Sequence, residues 1–183
     1  MEHPGKRIYI LIGPKGSGKT YIGTLLQDQL HIPFLRVEDI ALRVKKDRNY
    51  TDAGYIQEVF QGIETAVRET LVTENALVFE STGLTEAFDQ MLLRLQRDFQ
   101  VTLIRIKTAS DACLSRVRSR DQSIHINVSD DHVRAINAQV MDKVFAFDGE
   151  IDNTEASAED ILHTFKKIVE TKDIYLQKSA GKT

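Results

Sequence analysis

Along this 183-residue chain, short apolar, β-branched runs alternate with longer stretches in which apolar residues recur at helical spacing. Ile8–Ile12, Phe34–Val37, Ala76–Phe79 and Val101–Ile106, with a short run around Glu150–Asp152, predict five strands. Between the first two, Ile22, Leu25, Leu26 and Leu30 fall on one helical stripe, and His31-Ile32-Pro33 stops that helix, because proline cannot continue the ladder. Ile161, Leu162, Phe165, Ile168 and Val169 form a late stripe, preceded by Ser157 and Asp160 at capping-box spacing. Strands separated by helices predict an α/β fold with a five-stranded parallel sheet and helices on both faces. One domain over residues 1–178 accounts for the pattern, with 179–183 read as a flexible tail and the polar stretches Asp47–Gly54 and Asp121–Asp131 as mobile loops.

Composition supports an ordinary globular domain, with 42% hydrophobic and 28% charged residues. The net charge of −3 offers no general attraction for nucleic acid or anionic membrane, so nucleic-acid partners are disfavoured. The single cysteine, Cys113, lacks an intrachain partner and sits in a helical context that predicts a buried, inert thiol. The apolar run near the N-terminus is too short to span a membrane, so the expected location is cytoplasmic.

The chemistry is concentrated in Gly13-Pro14-Lys15-Gly16-Ser17-Gly18-Lys19-Thr20, which follows a predicted strand and opens a predicted helix. In such a loop glycines let the backbone curl around an anion with its N–H groups inward. Lys19 then reaches the β/γ-phosphates, Thr20 offers a hydroxyl to Mg²⁺, and the helix N-terminus adds partial positive charge. A P-loop NTPase fold is therefore expected, with ATP and Mg²⁺ as cofactors. ATP is preferred over GTP because the guanine-reading Asn-Lys-x-Asp is absent.

With that loop placed, the chain resembles the small P-loop kinases of the shikimate kinase, gluconate kinase and adenylate kinase group. The likeness to shikimate kinase covers Ile8–Ala41 and returns at Ser115-Arg116-Val117-Arg118-Ser119-Arg120-Asp121, similar to the arginine-rich start of a lid around 116–131. It returns again at Ile151-Asp152-Asn153-Thr154, similar to the adenine-side loop. The resemblance implies transfer of the ATP γ-phosphate to a small-molecule or nucleotide acceptor. Arg36 replaces the first acid of the family's Asp-x-Asp, and only Glu38 is retained in kind. The family's substrate-binding arginine falls at Ile56, and its glycine triplet becomes Glu80-Ser81-Thr82-Gly83. Another acceptor, or none, is implied.

Candidate roles follow. Glu80 at the end of the third strand is expected to hold Mg²⁺ through water. Glu38, and after it Asp39, are expected at a strand end and would orient or deprotonate an acceptor hydroxyl. Arg116 and Arg120, four apart, would project from one helix face and clamp a polyphosphate, while Arg118 points elsewhere. His125 is a weaker candidate in the same loop. Asp152 and Asn153 meet adenine or ribose, or merely make a turn; Arg36 binds an anionic acceptor or pairs with Glu38. The competing functions are a nucleotide switch or NTPase acting on a protein partner, and a polynucleotide kinase.

Overall fold

The structure is a computed structural model that describes residues 5–45, 52–119 and 129–180. The elements are β1 (Arg7–Ile12), α1 (Lys19–Leu30), β2 (Phe34–Leu35), α2 (Val37–Lys45), α3 (Ala53–Thr73), β3 (Ala76–Ser81), α4 (Glu86–Asp98), β4 (Gln100–Lys107), α5 (Ser110–Arg118), α6 (Asp130–Asp142), β5 (Gly149–Asp152) and α7 (Ala158–Ala180). All strand pairs are parallel, in the order β2-β3-β1-β4-β5, so β1 lies at the centre and delivers its C-terminal end between β3 and β4. Ile8, Ile10, Leu11 and Ile12 on that strand are essentially inaccessible, which is why it reads as a continuous apolar run rather than an alternating one.

Each sheet face has its own core. On one side α2, α3 and α4 pack with Tyr55, Val59, Ile63, Val67 and Leu71, a strict i, i+4 row along α3. On the other, Ile22 and Leu26 of α1 meet Ile161, Phe165 and Ile168 of α7, with Phe165 edge-on to Tyr9 at 5.0 Å. Helix ends are set where the sequence signals them. His31 closes α1 in a left-handed conformation (φ 55°). Ser157 Oγ accepts from the Asp160 N–H at 3.1 Å, while the Asp160 carboxylate accepts from the Ser157 N–H at 3.1 Å, completing the capping box. Cys113 is 1% exposed, as its helical context predicts.

Two of the boundaries that differ from the sequence reading bear on the site. The second strand ends at Leu35 rather than Val37, because the chain turns into α2 at once: the Asp39 N–H donates to the Arg36 carbonyl, and Glu38 and Asp39 occupy the first helical turn, where negative charge is favourable. The third strand continues past Phe79 to Ser81, so Glu80 is part of the sheet. Helix α7 runs to Ala180, past the point where the sequence reading begins the tail. Among the described residues, no helix is long and apolar enough to cross a membrane.

Candidate active site

The loop Gly13–Gly18 leaves the centre of the sheet and turns into α1. Gly16 and Gly18 adopt φ of 84° and 86°, which side chains rarely tolerate. The outer side of the loop supplies a second reason for glycine. A Cβ on Gly13 would stand 2.5 Å from the Ile106 carbonyl oxygen, one on Gly16 2.1 Å from the Cys113 carbonyl oxygen, and one on Gly18 2.2 Å from Asn153 Nδ2. The loop is thus pressed against β4, α5 and the turn after β5.

Those neighbours hold its carbonyl groups. Asn137 of α6 accepts the Lys15 N–H through Oδ1 (2.6 Å) and donates from Nδ2 to the Lys15 carbonyl (3.0 Å). The Ser17 carbonyl accepts from Thr108 Oγ1 (3.0 Å) and Asn153 Nδ2 (2.8 Å). Lys19, 8% exposed, donates from Nζ to the Gly13 and Pro14 carbonyls at 2.8 Å each. With the Lys15 and Ser17 carbonyls held by neighbouring elements, and the first-turn N–H groups of α1 lacking a carbonyl one turn before them, the helix N-terminus presents donors to an anion. Ser17 Oγ, fully buried, has no hydrogen-bond partner among the described residues.

Thr20 Oγ1 donates to both carboxylate oxygens of Glu80, at 2.9 and 3.1 Å, so the two expected Mg²⁺ residues meet across 60 positions of sequence. A hydroxyl and a carboxylate are hard oxygen donors suited to Mg²⁺, which keeps several waters and takes the rest of its ligands from phosphate oxygens. The residues therefore fit a Mg²⁺-nucleotide.

Arg116 projects from α5 toward the same loop. Its Nη2 donates to the Asn153 and Thr154 carbonyls (3.0 and 3.2 Å), while Nη1 is buried without a partner among the described residues and lies 3.7 Å from where a Gly18 Cβ would be. Arg118 points away, and its Nε donates to Asp130 at 3.0 Å, tying α5 to the start of α6 and holding the Asp130 carboxyl below its ordinary range. Arg120 and His125 lie outside the described residues. Asn153 is 5% exposed, and its amide nitrogen is committed to the Ser17 carbonyl, which places it behind the phosphate loop rather than against a base. Asp152 accepts from the Thr154 N–H at 2.9 Å in a turn, and the Thr154 hydroxyl and N–H together lower its pKa. Sequence reasoning missed Thr108 and Asn137 altogether: a lone Thr after a strand and a lone Asn 122 positions from its partner carry no local signal.

Glu38 and Asp39 stand in the first turn of α2, immediately beyond the C-terminal end of β2, Glu38 half-buried and Asp39 exposed. Arg36 Nη1 stands 3.8 Å from Asp39 Oδ1. Between α3 and α4 a cavity of about 660 Å³ is lined by Ile56, Phe60, Gln61, Thr85, Glu86 and Gln90, and Ile56 is the position at which the resemblance places the family's substrate-binding arginine. Phe60, Phe88, Phe145 and Phe147 form an edge-to-face row, with successive centroids 5.5 to 6.1 Å apart. Gly83, at φ 73°, lies under Phe145, and Lys143 Nζ joins its carbonyl to Asp89.

A family model described as an AAA domain matches residues 8–142. The shikimate kinase of Vibrio campbellii is 32% identical over 83 residues, which are 43% of this chain and 46% of that enzyme, so the chain spans about half the length of the curated relative it matches. The crystal structure of shikimate kinase from Aquifex aeolicus superimposes with a TM-score of 0.62 at 20% identity, covering 91% of this chain and 98% of that one. The Mycobacterium tuberculosis APS kinase in complex with AMPPNP and APS gives 0.65 at 14% identity, covering 92% and 99%. At such identities the two structures speak for the fold, the α/β arrangement of P-loop NTPases.

Proposed function

The chain belongs to the AAA domain family, matched over residues 8–142, and from that membership we propose that it is a kinase transferring the γ-phosphate of ATP to a small-molecule or nucleotide acceptor. P-loop kinases generally use ATP and Mg²⁺. The observation that carries the reading is the meeting of Thr20 with Glu80 beside a loop whose Lys15 and Ser17 carbonyls are held by Asn137, Thr108 and Asn153. Phosphoryl transfer asks a protein mainly for positioning and for charge complementary to the transferring group. Lys19 and the N–H groups at the start of α1 hold the β/γ-phosphates. Thr20 directly, and Glu80 through water, hold Mg²⁺, which when bound neutralises charge on the phosphate oxygens. Arg116, anchored by one edge to the turn after β5, turns its other nitrogen toward the loop. Glu38 orients or deprotonates the acceptor hydroxyl, with Asp39 second in that role.

The cavity between α3 and α4 supports an acceptor site on the α2–α4 side of the sheet. Substitution of the shikimate-kinase acceptor residues at Arg36, Ile56 and Glu80–Gly83 argues for an acceptor other than shikimate. The same substitutions favour, as a second reading, an NTPase or nucleotide switch that acts on a protein partner. The test is calorimetric confirmation of Mg²⁺-ATP binding, then ADP release measured over a panel of polyols, sugar acids, nucleoside monophosphates and 5′-hydroxyl oligonucleotides. A kinase releases ADP stoichiometrically with one acceptor class. ATP binding with no acceptor-dependent release refutes transfer, and acceptor-independent hydrolysis selects the second reading.

A further inference from the structure

Arg36 is a cation at the crevice end of the sheet whose charge the fold uses poorly. Its Nε is buried and has no hydrogen-bond partner among the described residues. Its Nη1 reaches Asp39 Oδ1 only at 3.8 Å, and that carboxylate is 55% exposed. A distance of this size is an ion pair without a hydrogen bond, on the solvent side, and contributes little to stability. Buried donors left unsatisfied are rare because they are a net cost to folding, and one at the open end of a parallel sheet points to a ligand.

Register says which end of the sheet Arg36 occupies. Phe34 packs with the α1–α7 core, and Leu35 and Val37 with the α2–α4 core. On β3, Val78 belongs to the first core and Phe79 to the second, and Phe34 pairs with Val78 and Leu35 with Phe79. Arg36 follows Leu35 directly, in the turn between β2 and α2, and Glu80 follows Phe79 on β3, its carboxylate accepting from Thr20 at the start of α1. Arg36 therefore leaves the sheet at the same end as the Thr20–Glu80 pair.

We infer that Arg36 is the cation that meets the terminal phosphate of the bound triphosphate, a γ-phosphate sensor at the end of β2. The inference rests on the reading of the phosphate loop given above. A guanidinium presents a planar fork that matches two phosphate oxygens, and its weak hold on Asp39 leaves that fork available. ADP lacks the group that Arg36 meets. The residue thus separates triphosphate from diphosphate, whereas Lys19 and the loop N–H groups serve both.

The test compares affinities of a non-hydrolysable ATP analogue and of ADP, each with Mg²⁺, for the unaltered chain, Arg36→Met and Arg36→Lys, by calorimetry. Arg36→Met keeps the apolar stem, and an unchanged melting temperature shows that the fold survives. The expected result is a loss of about tenfold or more for the ATP analogue, equivalent to about 1.4 kcal/mol, with ADP affinity changed less than about twofold and Arg36→Lys intermediate. Equal losses for both nucleotides, or none for either, overturn the inference. So does a variant with unchanged nucleotide affinities whose KM for an acceptor rises, since Arg36 then serves the acceptor's anion. If the unaltered chain binds neither nucleotide, the phosphate-loop reading fails first and this inference falls with it.

Discussion

Replacing Gly18 and Asn153 singly and together tests whether the turn after β5 braces the phosphate loop. Asn153→Ala removes the 2.8 Å bond from Nδ2 to the Ser17 carbonyl, a buried interaction whose loss costs about 1–3 kcal/mol. The low end of that range is expected, because Thr108 Oγ1 still donates to the same carbonyl at 3.0 Å. Gly18→Ala meets two penalties. Its φ of 86° costs about 1–2 kcal/mol for a residue with a Cβ, and that Cβ would lie 2.2 Å from Asn153 Nδ2, forcing the amide or the loop aside. In the double variant the overlap disappears and the backbone strain remains. The combined loss should therefore fall short of the sum of the single losses by about 1–2 kcal/mol. Urea unfolding of the four proteins, read at constant m-value, measures the cycle. Losses that add to within about 0.5 kcal/mol would refute the brace. Nucleotide affinity sharpens the answer: a brace lowers it in step with stability, whereas a large affinity loss with stability unchanged puts the Asn153 amide on the nucleotide itself.

Lys19→Ala should abolish measurable ATP binding by calorimetry and also lower stability by about 1–3 kcal/mol, since Nζ holds the Gly13 and Pro14 carbonyls; undiminished nucleotide-dependent turnover overturns its assignment. Glu38→Gln should leave ATP affinity within about twofold and lower transfer on the order of 10²-fold in a coupled ADP-release assay; a loss confined to nucleotide affinity moves Glu38 to the Mg²⁺ side. Asp98 provides a pH test away from the site. Hydrogen bonds from Arg97 and then Arg68 hold its pKa down from 3.8 to about 2. A depressed carboxyl stabilises the fold above its unfolded pKa and loses that contribution as pH falls through its folded value. The urea midpoint of Asp98→Asn should therefore lie below that of the unaltered chain at pH 7, and the gap should narrow between pH 4 and 2; a gap independent of pH denies the Arg–Asp98 coupling.

The inner strands were legible because a parallel strand buried on both faces must be largely apolar, and Ile8–Ile12 meets that condition using only its own residues. The phosphate loop was legible for a similar reason: positive φ at Gly16 and Gly18, and a helix opening at Lys19, are properties of adjacent residues. Val37 misled, since an apolar β-branched residue after Phe34 and Leu35 extends a strand in pattern, while the acids that follow it favour a helix start.

The sequence by itself thus determined the order of strands and helices and the loop that carries the phosphate chemistry, because periodicity, glycine and capping act over a few neighbouring residues. Only the tertiary structure decided what that loop leans on. Asn137 and Thr108 acquire their roles from backbone groups 122 and 91 positions away, and Asn153 turns out to hold the Ser17 carbonyl from 136 positions away. Which residues come together at the end of a parallel sheet depends on strand order, and a crossover that brings Thr20 to Glu80 leaves no trace in the local spacing of either.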